Sequence, residues 1–292
     1  MANHPSLFLY NSNATVRSVD ELVSLDDSVT EITIDNGVSD SNFTVLDLSR
    51  FTRLRTLEIG DHCFSFVDEL KLIGMNELES VVIGENSFTE GSGALILSGC
   101  SALEALRIGN YSFASYSALV IEDVPLLTEV VIPSNSFRNV DRLDLIGLHE
   151  VVRVVIGENS MTNKEGDFLL QNCTSVVELR VGSGSMRSFK SIDVYDTPFL
   201  EVIEIGEGCF GETNRFELIG LSELERVVIG SNSFSSRNGN SVMLLGCSVR
   251  RVTLGDGCFA HFAQFVMEGD YFLEELVIGD GCFNGTSFAI RG

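Results

Sequence analysis

The amino-acid sequence predicts a β-rich solenoid of about ten rungs of 24 or 25 residues, and three observations carry that expectation. A branched aliphatic residue, in nearly every module just before a glycine, recurs as Ile59, Ile83, Ile108, Ile132, Ile156, Val181, Ile205, Ile229, Leu254 and Ile278, with a weaker forerunner at Ile34. Around each anchor, apolar residues stand five and two positions before and five after, as in Leu224, Val227, Ile229 and Phe234, or Leu78, Val81, Ile83 and Phe88. The other half of each module carries a short period-two run bounded by glycine, such as Leu70 and Leu72 with Gly74, or Leu95 and Leu97 with Gly99 and Cys100. Units this small cannot bury their own apolar face, so they must stack on their neighbours.

A period-two run reads as a strand whose alternate side chains point inward. Each rung is then expected to put one strand into a parallel sheet and a second, short strand on the opposite wall. Strands about 4.8 Å apart give ten rungs a span on the order of 50 Å, and two walls of equal spacing leave the stack weakly curved. Phe fills the last core slot in eight modules, with Met161 and Met186 in two.

Written out, L-x-x-L-x-I-G-x-N-x-F resembles the signature segment of leucine-rich repeats. A Phe after Ser or Cys, with a Gly-Cys pair downstream, is similar to the BspA-like leucine-rich repeats of bacterial and protist surface proteins. Ile-Gly stands where that subtype often has Ile-Pro, and only Ile132-Pro133 matches it. The resemblance implies a leucine-rich repeat architecture, ligand binding on the regular sheet, and adhesion or surface display as one version of the function. It also implies that Asn86, Asn135, Asn159 and Asn232 bond backbone groups of the turn, in a ladder interrupted where His62, Tyr111, Gly184, Gly208, Gly257 or Gly281 takes the slot.

Taken in order, residues 1–28 lack the repeat and are expected to form an N-terminal cap. Ser18 and Glu21 have capping-box spacing ahead of Leu22, Val23 and Leu25, which predicts a short helix or turn. The solenoid is expected over 29–292, with insertions at Asn163–Asp167 and Ser235–Asn240 forming loops. The last repeat reads as incomplete, leaving the edge of Leu276 to Ile278 and the apolar Phe283, Phe288 and Ile290 open to a partner.

The formal charge of −23 disfavours nucleic acid and anionic lipid as partners, and no apolar run approaches the roughly 18 residues of a membrane span. The start lacks the basic and apolar regions of a signal peptide. Of seven cysteines, Cys63, Cys209, Cys258 and Cys282 occupy the slot before the core Phe, while Cys100, Cys173 and Cys247 follow the second strand. These are small-residue core slots, with only Cys258 and Cys282 placed to consider a disulfide. Localisation stays open, leaning to the cytoplasm on the missing signal and unpaired thiols; cell-surface or extracellular placement, where sequons at Asn13, Asn42, Asn110, Asn172 and Asn284 would matter, is the alternative.

His4, His62, His149 and His261 occupy unrelated slots, and no catalytic triad, phosphate loop or dinucleotide fingerprint is present. No catalytic residue, cofactor or metal is therefore expected. Cys258 with His261 reads as a core slot, and the turn-edge carboxylates Asp61, Glu85, Asp256 and Asp280 as solvated. Exposed strand positions hold seven of the nineteen basic residues, Arg55, Arg107, Arg153, Arg180, Arg226, Arg250 and Arg251. Glu129, Arg153 and Glu178 compensate one another in one column, as do Glu225, Arg250 and Glu274. Arg107 and Arg226 lack partners in theirs, so with Val82, Val131 and Val155, and the neighbouring Arg153 and Arg180, they form the expected partner-binding patch. The expected function is a non-enzymatic protein-interaction or adhesion scaffold. End-to-end self-assembly is one alternative, and a β-helix acting on polysaccharide another, opposed by the absence of clustered acids on the sheet.

Overall fold

A computed structural model describes residues 12–269 and 272–291; the start of the 1–28 cap, including His4, lies outside them. The chain is a parallel β-solenoid of about eleven turns with almost no helix. One wall is a sheet of eleven strands, from Val45–Asp47 to Ser287–Arg291. The other is divided into a block of five strands ending at Ala105–Ile108 and a block of seven running from Glu129–Ile132 to Glu275–Ile278. Anchors stand side by side, Ile59 beside Ile83 and Ile132 beside Ile156. No helix among the described residues is long and apolar enough to cross a membrane.

The expected ten rungs are one short, because the forerunner Glu31–Ile34 is a full strand. The cap segment adds another, Asn13–Val16, which pairs with it from Asn13 beside Glu31 to Val16 beside Ile34. Helix Val19–Val23 follows, and Ser18 Oγ accepts the Glu21 N–H at 3.2 Å while the Glu21 carboxylate accepts from Arg17 N at 2.7 Å. These bonds satisfy backbone donors that a helix start leaves open. At the far end of the helix the Arg50 guanidinium donates to the Leu22 and Val23 carbonyls.

The interior is a column of aromatic rings. Phe210, Phe234 and Phe259 stack at centroid distances of 5.1 and 4.7 Å, and Phe88, Phe113 and Phe137 at 4.6 and 5.0 Å. Met161 and Met186, also fully buried, separate the two runs. Every residue in this slot has positive φ, 51° to 57°, in the left-handed region. That conformation costs an L-residue about 1–2 kcal/mol. Burying a Phe contributes about 1.5–3 kcal/mol and ring stacking about 0.5–1.5 kcal/mol more, so packing wins.

A second left-handed column explains the asparagine slot. Asn86, Asn135, Asn159 and Asn232 have φ of 54° to 59°, as His62 and Tyr111 do at 58° and 61°, and Gly184, Gly208, Gly257 and Gly281 share the sign. What crosses to the next rung is the backbone N–H, Asn86 to Asn110 O, His62 to Glu85 O and Gly184 to Glu207 O. The slot is therefore occupied by residues that tolerate left-handed backbone rather than by a side-chain amide ladder.

Between these columns lies a buried seam of serines. Ser87, Ser112, Ser160, Ser185 and Ser233 each donate Oγ to a carbonyl of the preceding rung at 2.6–3.1 Å. In the same column Ser112 Oγ accepts the Ser87 N–H and Ser185 Oγ the Ser160 N–H. Cysteines replace these serines as donors, with Cys63, Cys209, Cys258 and Cys282 Sγ bonded to carbonyls at 3.1–3.2 Å. Cys258 and Cys282 are separate thiols. Burial pushes the Cys209 and Cys258 thiols up to about 11.

The glycine after each anchor is set by close approach. A Cβ on Gly84, Gly109, Gly182 or Gly230 would lie 2.4–2.7 Å from atoms of the preceding rung, mostly backbone, and each of these glycines donates its N–H to the preceding anchor's carbonyl at 2.7–2.8 Å. Pro133 is the exception; it has no N–H for Ile108 O and carries ring atoms where the others carry hydrogen. Between Ala105–Ile108 and Glu129–Ile132 the ladder is interrupted. Ser136 Oγ turns back to Ser134 O in its own rung, and Ile108, unlike most other anchors, is partly exposed.

Two expected boundaries are corrected. The 163–167 insertion is partly strand, since Gly166 and Asp167 begin Gly166–Gln171 with a bulge against Phe189–Tyr195. The last rung is not half built, because Glu275–Ile278 and Ser287–Arg291 supply strands to both walls.

Replacing Phe234 by Ala should cost about 3–5 kcal/mol, because its stacked neighbours cannot collapse into the space. Ser231→Ala should cost far less, about 0.5–1.5 kcal/mol, for the exposed bond from Asp256 N to Ser231 Oγ. Denaturant titrations of both variants check the order. The thiols give a second prediction. A thiol whose folded value lies above its unfolded value of about 9 stabilises fully below that pH, and the contribution is lost as pH rises through about 11. Unfolding temperature should therefore fall between pH 9 and 11, and iodoacetamide at pH 8 should label half-exposed Cys282 before Cys209 or Cys258.

Candidate functional site

The outward positions of the divided wall form columns along the stack. Val82 stands beside Arg107, Val131 beside Val155, and Val155 beside Arg180, so five of the expected patch residues share one column, while Arg153 and Arg226 lie in the neighbouring one. Arg107 and Val131 lie on the two sides of the interruption made by Pro133. Arg107 is exposed and makes no ion pair among the described residues, whereas the three valines are half-buried.

Arg153, Arg180 and Arg226 belong to a continuous charge chain. Arg153 Nε lies 3.6 Å from Glu178, which also accepts from Arg180 at 2.6 Å; Arg180 reaches Glu204 at 3.2 Å, and Glu204 pairs with Arg226. The expectation that Arg226 has no partner is therefore corrected. Its partner comes from the adjacent column on the diagonal, a distance the long guanidinium side chain spans. The two triads foreseen in columns are present in part or whole: Arg153 pairs with Glu178, and Arg250 contacts both Glu225 and Glu274, at 3.9 and 3.2 Å. Exposed pairs of this kind contribute little stability, and their effect is to neutralise this stretch of the wall; Arg107, beside Val82, and Arg251 stay without an ion pair among the described residues.

The turn-edge carboxylates are engaged by backbone. Asp61 Oδ1 accepts Glu85 N and Asp256 Oδ1 accepts Asp280 N, both at 2.8 Å, as Asn36 and Asn110 do for Asp61 and Ser134. Among the described residues no three His, Cys, Asp or Glu side chains converge as a metal site would require. His149 Nδ1 lies 3.2 Å from Thr174 Oγ1.

Two depressions on the eleven-stranded wall escaped the sequence reading. One, of about 610 Å³, lies between Ala118–Glu122 and Arg142–Ile146. The other, of about 570 Å³, shares Arg142 and Asp144 and extends to Asp193, Tyr195 and Arg215. Arg142 pairs with Asp144 at 2.5 Å, Arg215 with Asp193 at 3.0 Å and Glu217 at 3.6 Å, and Ser191 Oγ donates to Asp167 at 2.8 Å. The signal was available in the period-two runs, since Arg142, Asp144 and Ile146 occupy the outward positions of their strand just as Leu143 and Leu145 occupy the inward ones. The chain matches no family model, no curated protein and no solved structure.

Proposed function

We propose that the chain is a non-enzymatic protein-binding scaffold that uses the outward face of its divided wall, with Arg107 at the centre of the contact. The observation that supports this reading is the position of Arg107, a guanidinium with no ion pair among the described residues, between Val82 and Val131 on a wall where Arg153, Arg180 and Arg226 are paired with glutamates. A cation with apolar flanks is the composition of an interface anchor, since arginine contributes strongly where neighbours exclude water. The L-x-x-L-x-I-G segments support placing the solenoid with the leucine-rich repeats, and the Gly-Cys and Ser-Phe pairs with the BspA-like group, where adhesion is one form of such binding. Arg153, Arg180 and Arg226 form the neutral flank of the site.

A second reading, end-to-end self-assembly, rests on a separate observation. On the last rung Ile278, Phe288 and Ile290 are 40–53% exposed, whereas their neighbours on the rung before, Leu254, Phe265 and Met267, are buried. A parallel edge with apolar side chains is a template for another strand.

Immobilised protein should retain a set of partners that Arg107→Glu loses by at least about tenfold in affinity, with an unchanged melting temperature, while Glu217→Lys on the other wall leaves capture intact. Partners retained by Arg107→Glu but lost with Glu217→Lys would move the site to the eleven-stranded wall. For the second reading, light scattering at rising concentration should show growing particles, and Ile278→Lys with Ile290→Lys should abolish the growth. Strictly constant mass would remove self-assembly.

A further inference from the structure

The interruption at Pro133 has a counterpart on the opposite wall of the same two rungs. Strand Arg142–Ile146 pairs with Gly166–Gln171 over five residues, but with Ala118–Glu122 over only three, Leu143 beside Leu119 to Leu145 beside Ile121. The ends of these strands are unpaired across the junction, and the depression of about 610 Å³ lies there. Its floor is apolar, with Val120 and Ile146 facing outward, and its rim carries Glu122, Asp123, Asp141 and Asp144. The one base on the rim, Arg142, is already paired with Asp144.

We propose that this groove binds an extended peptide segment in which lysine or arginine alternates with apolar residues, and that the groove is held open by Pro133. Three features select this occupant. Four carboxylates against one compensated guanidinium, on a chain of formal charge −23, attract cations and repel anionic ligands. The apolar floor requires a side chain that a free cation or a polyamine does not supply. The volume lies within the usual range of a binding cleft, and a peptide extended along these strands lays its apolar side chains on the floor, while its basic side chains, on the other face, reach the rim carboxylates through their long flexible stems. The junction is looser than its neighbours on two counts, the missing N–H of Pro133 and the shortened pairing of Leu119 to Ile121. A glycine at 133 would restore the donor to Ile108 O and remove the ring that keeps the rungs apart. The site is on the other wall from Arg107 and does not depend on the scaffold reading of that face.

The test uses the full chain and a fluorescein-labelled hexapeptide, Lys-Leu-Lys-Leu-Lys-Leu, followed by fluorescence anisotropy near physiological salt. Its Glu-Leu and Lys-Ser counterparts serve as probes of charge and of the apolar floor. Saturable binding is expected for the Lys-Leu peptide, none for Glu-Leu, and weaker binding for Lys-Ser. Glu122→Gln with Asp144→Asn, Val120→Ser, and Pro133→Gly should each weaken it by at least about tenfold, which is about 1.4 kcal/mol. Glu201→Gln with Glu225→Gln, the same charge change on the divided wall, should leave it unchanged. Thermal melts establish that each variant is folded. Equal weakening by the groove and control pairs would reduce the effect to general acidity and overturn the proposal, as would the absence of saturable binding. Undiminished binding by folded Pro133→Gly would overturn the role of the proline.

Discussion

Everything in this molecule depends on adjacent rungs lying close enough for backbone to touch backbone. The glycine column makes that approach possible, since a Cβ at Gly84 or Gly182 would sit within 2.7 Å of atoms in the rung before. Once the rungs are that close, an anchor carbonyl meets the next glycine N–H, a serine hydroxyl reaches a carbonyl of the preceding rung, and phenylalanine rings meet at stacking distance. None of these contacts can form within one rung, so each module contributes stability only through its neighbours. The left-handed backbone of the Phe and Asn slots is tolerable for the same reason, because its cost falls on single residues while packing is gained on both sides.

Much of this was legible in the sequence, and what was not has identifiable causes. The spacing of Leu224, Val227, Ile229 and Phe234 shows which residues are buried, and the structure buries all four. Spacing does not show backbone sign, so the asparagine slot looks like a side-chain ladder from the sequence alone. The alternation of Asn86 with His62 and Gly184 was the available sign of a left-handed position. Arg226 looks isolated along its own column, whereas a guanidinium reaches a carboxylate in the next column. The rung in Asn13–Val16 was missed because its side chains, Asn, Ala, Thr and Val, carry one buried aliphatic residue where other rungs carry two.

The candidate surfaces show how charge is distributed on a chain with a large acid excess. On the divided wall arginines and glutamates neutralise one another through Arg153, Glu178, Arg180, Glu204 and Arg226. On the other wall Arg142 and Arg215 each serve carboxylates, while Glu122, Asp123 and Asp141 ring the groove without a basic partner at its rim. The divided wall therefore carries an unpaired cation at Arg107, and the other wall a net acidic depression. Both features fall at the single rung junction where proline replaces glycine.

That junction also bears on how the solenoid carries load. Tension along its axis passes from rung to rung through the parallel ladders, the serine column and the stacked rings in parallel. Between Ile108 and Glu129 the first is interrupted on one wall and shortened on the other, and the serine column keeps only the bond from Ser112 N–H to Ser136 Oγ, so the rings of Phe113 and Phe137 and the remaining strand pairs carry more of the force. A pull on the two ends would open the molecule there first, as two stiff rods parting at one joint rather than as a thread unravelling from its tips.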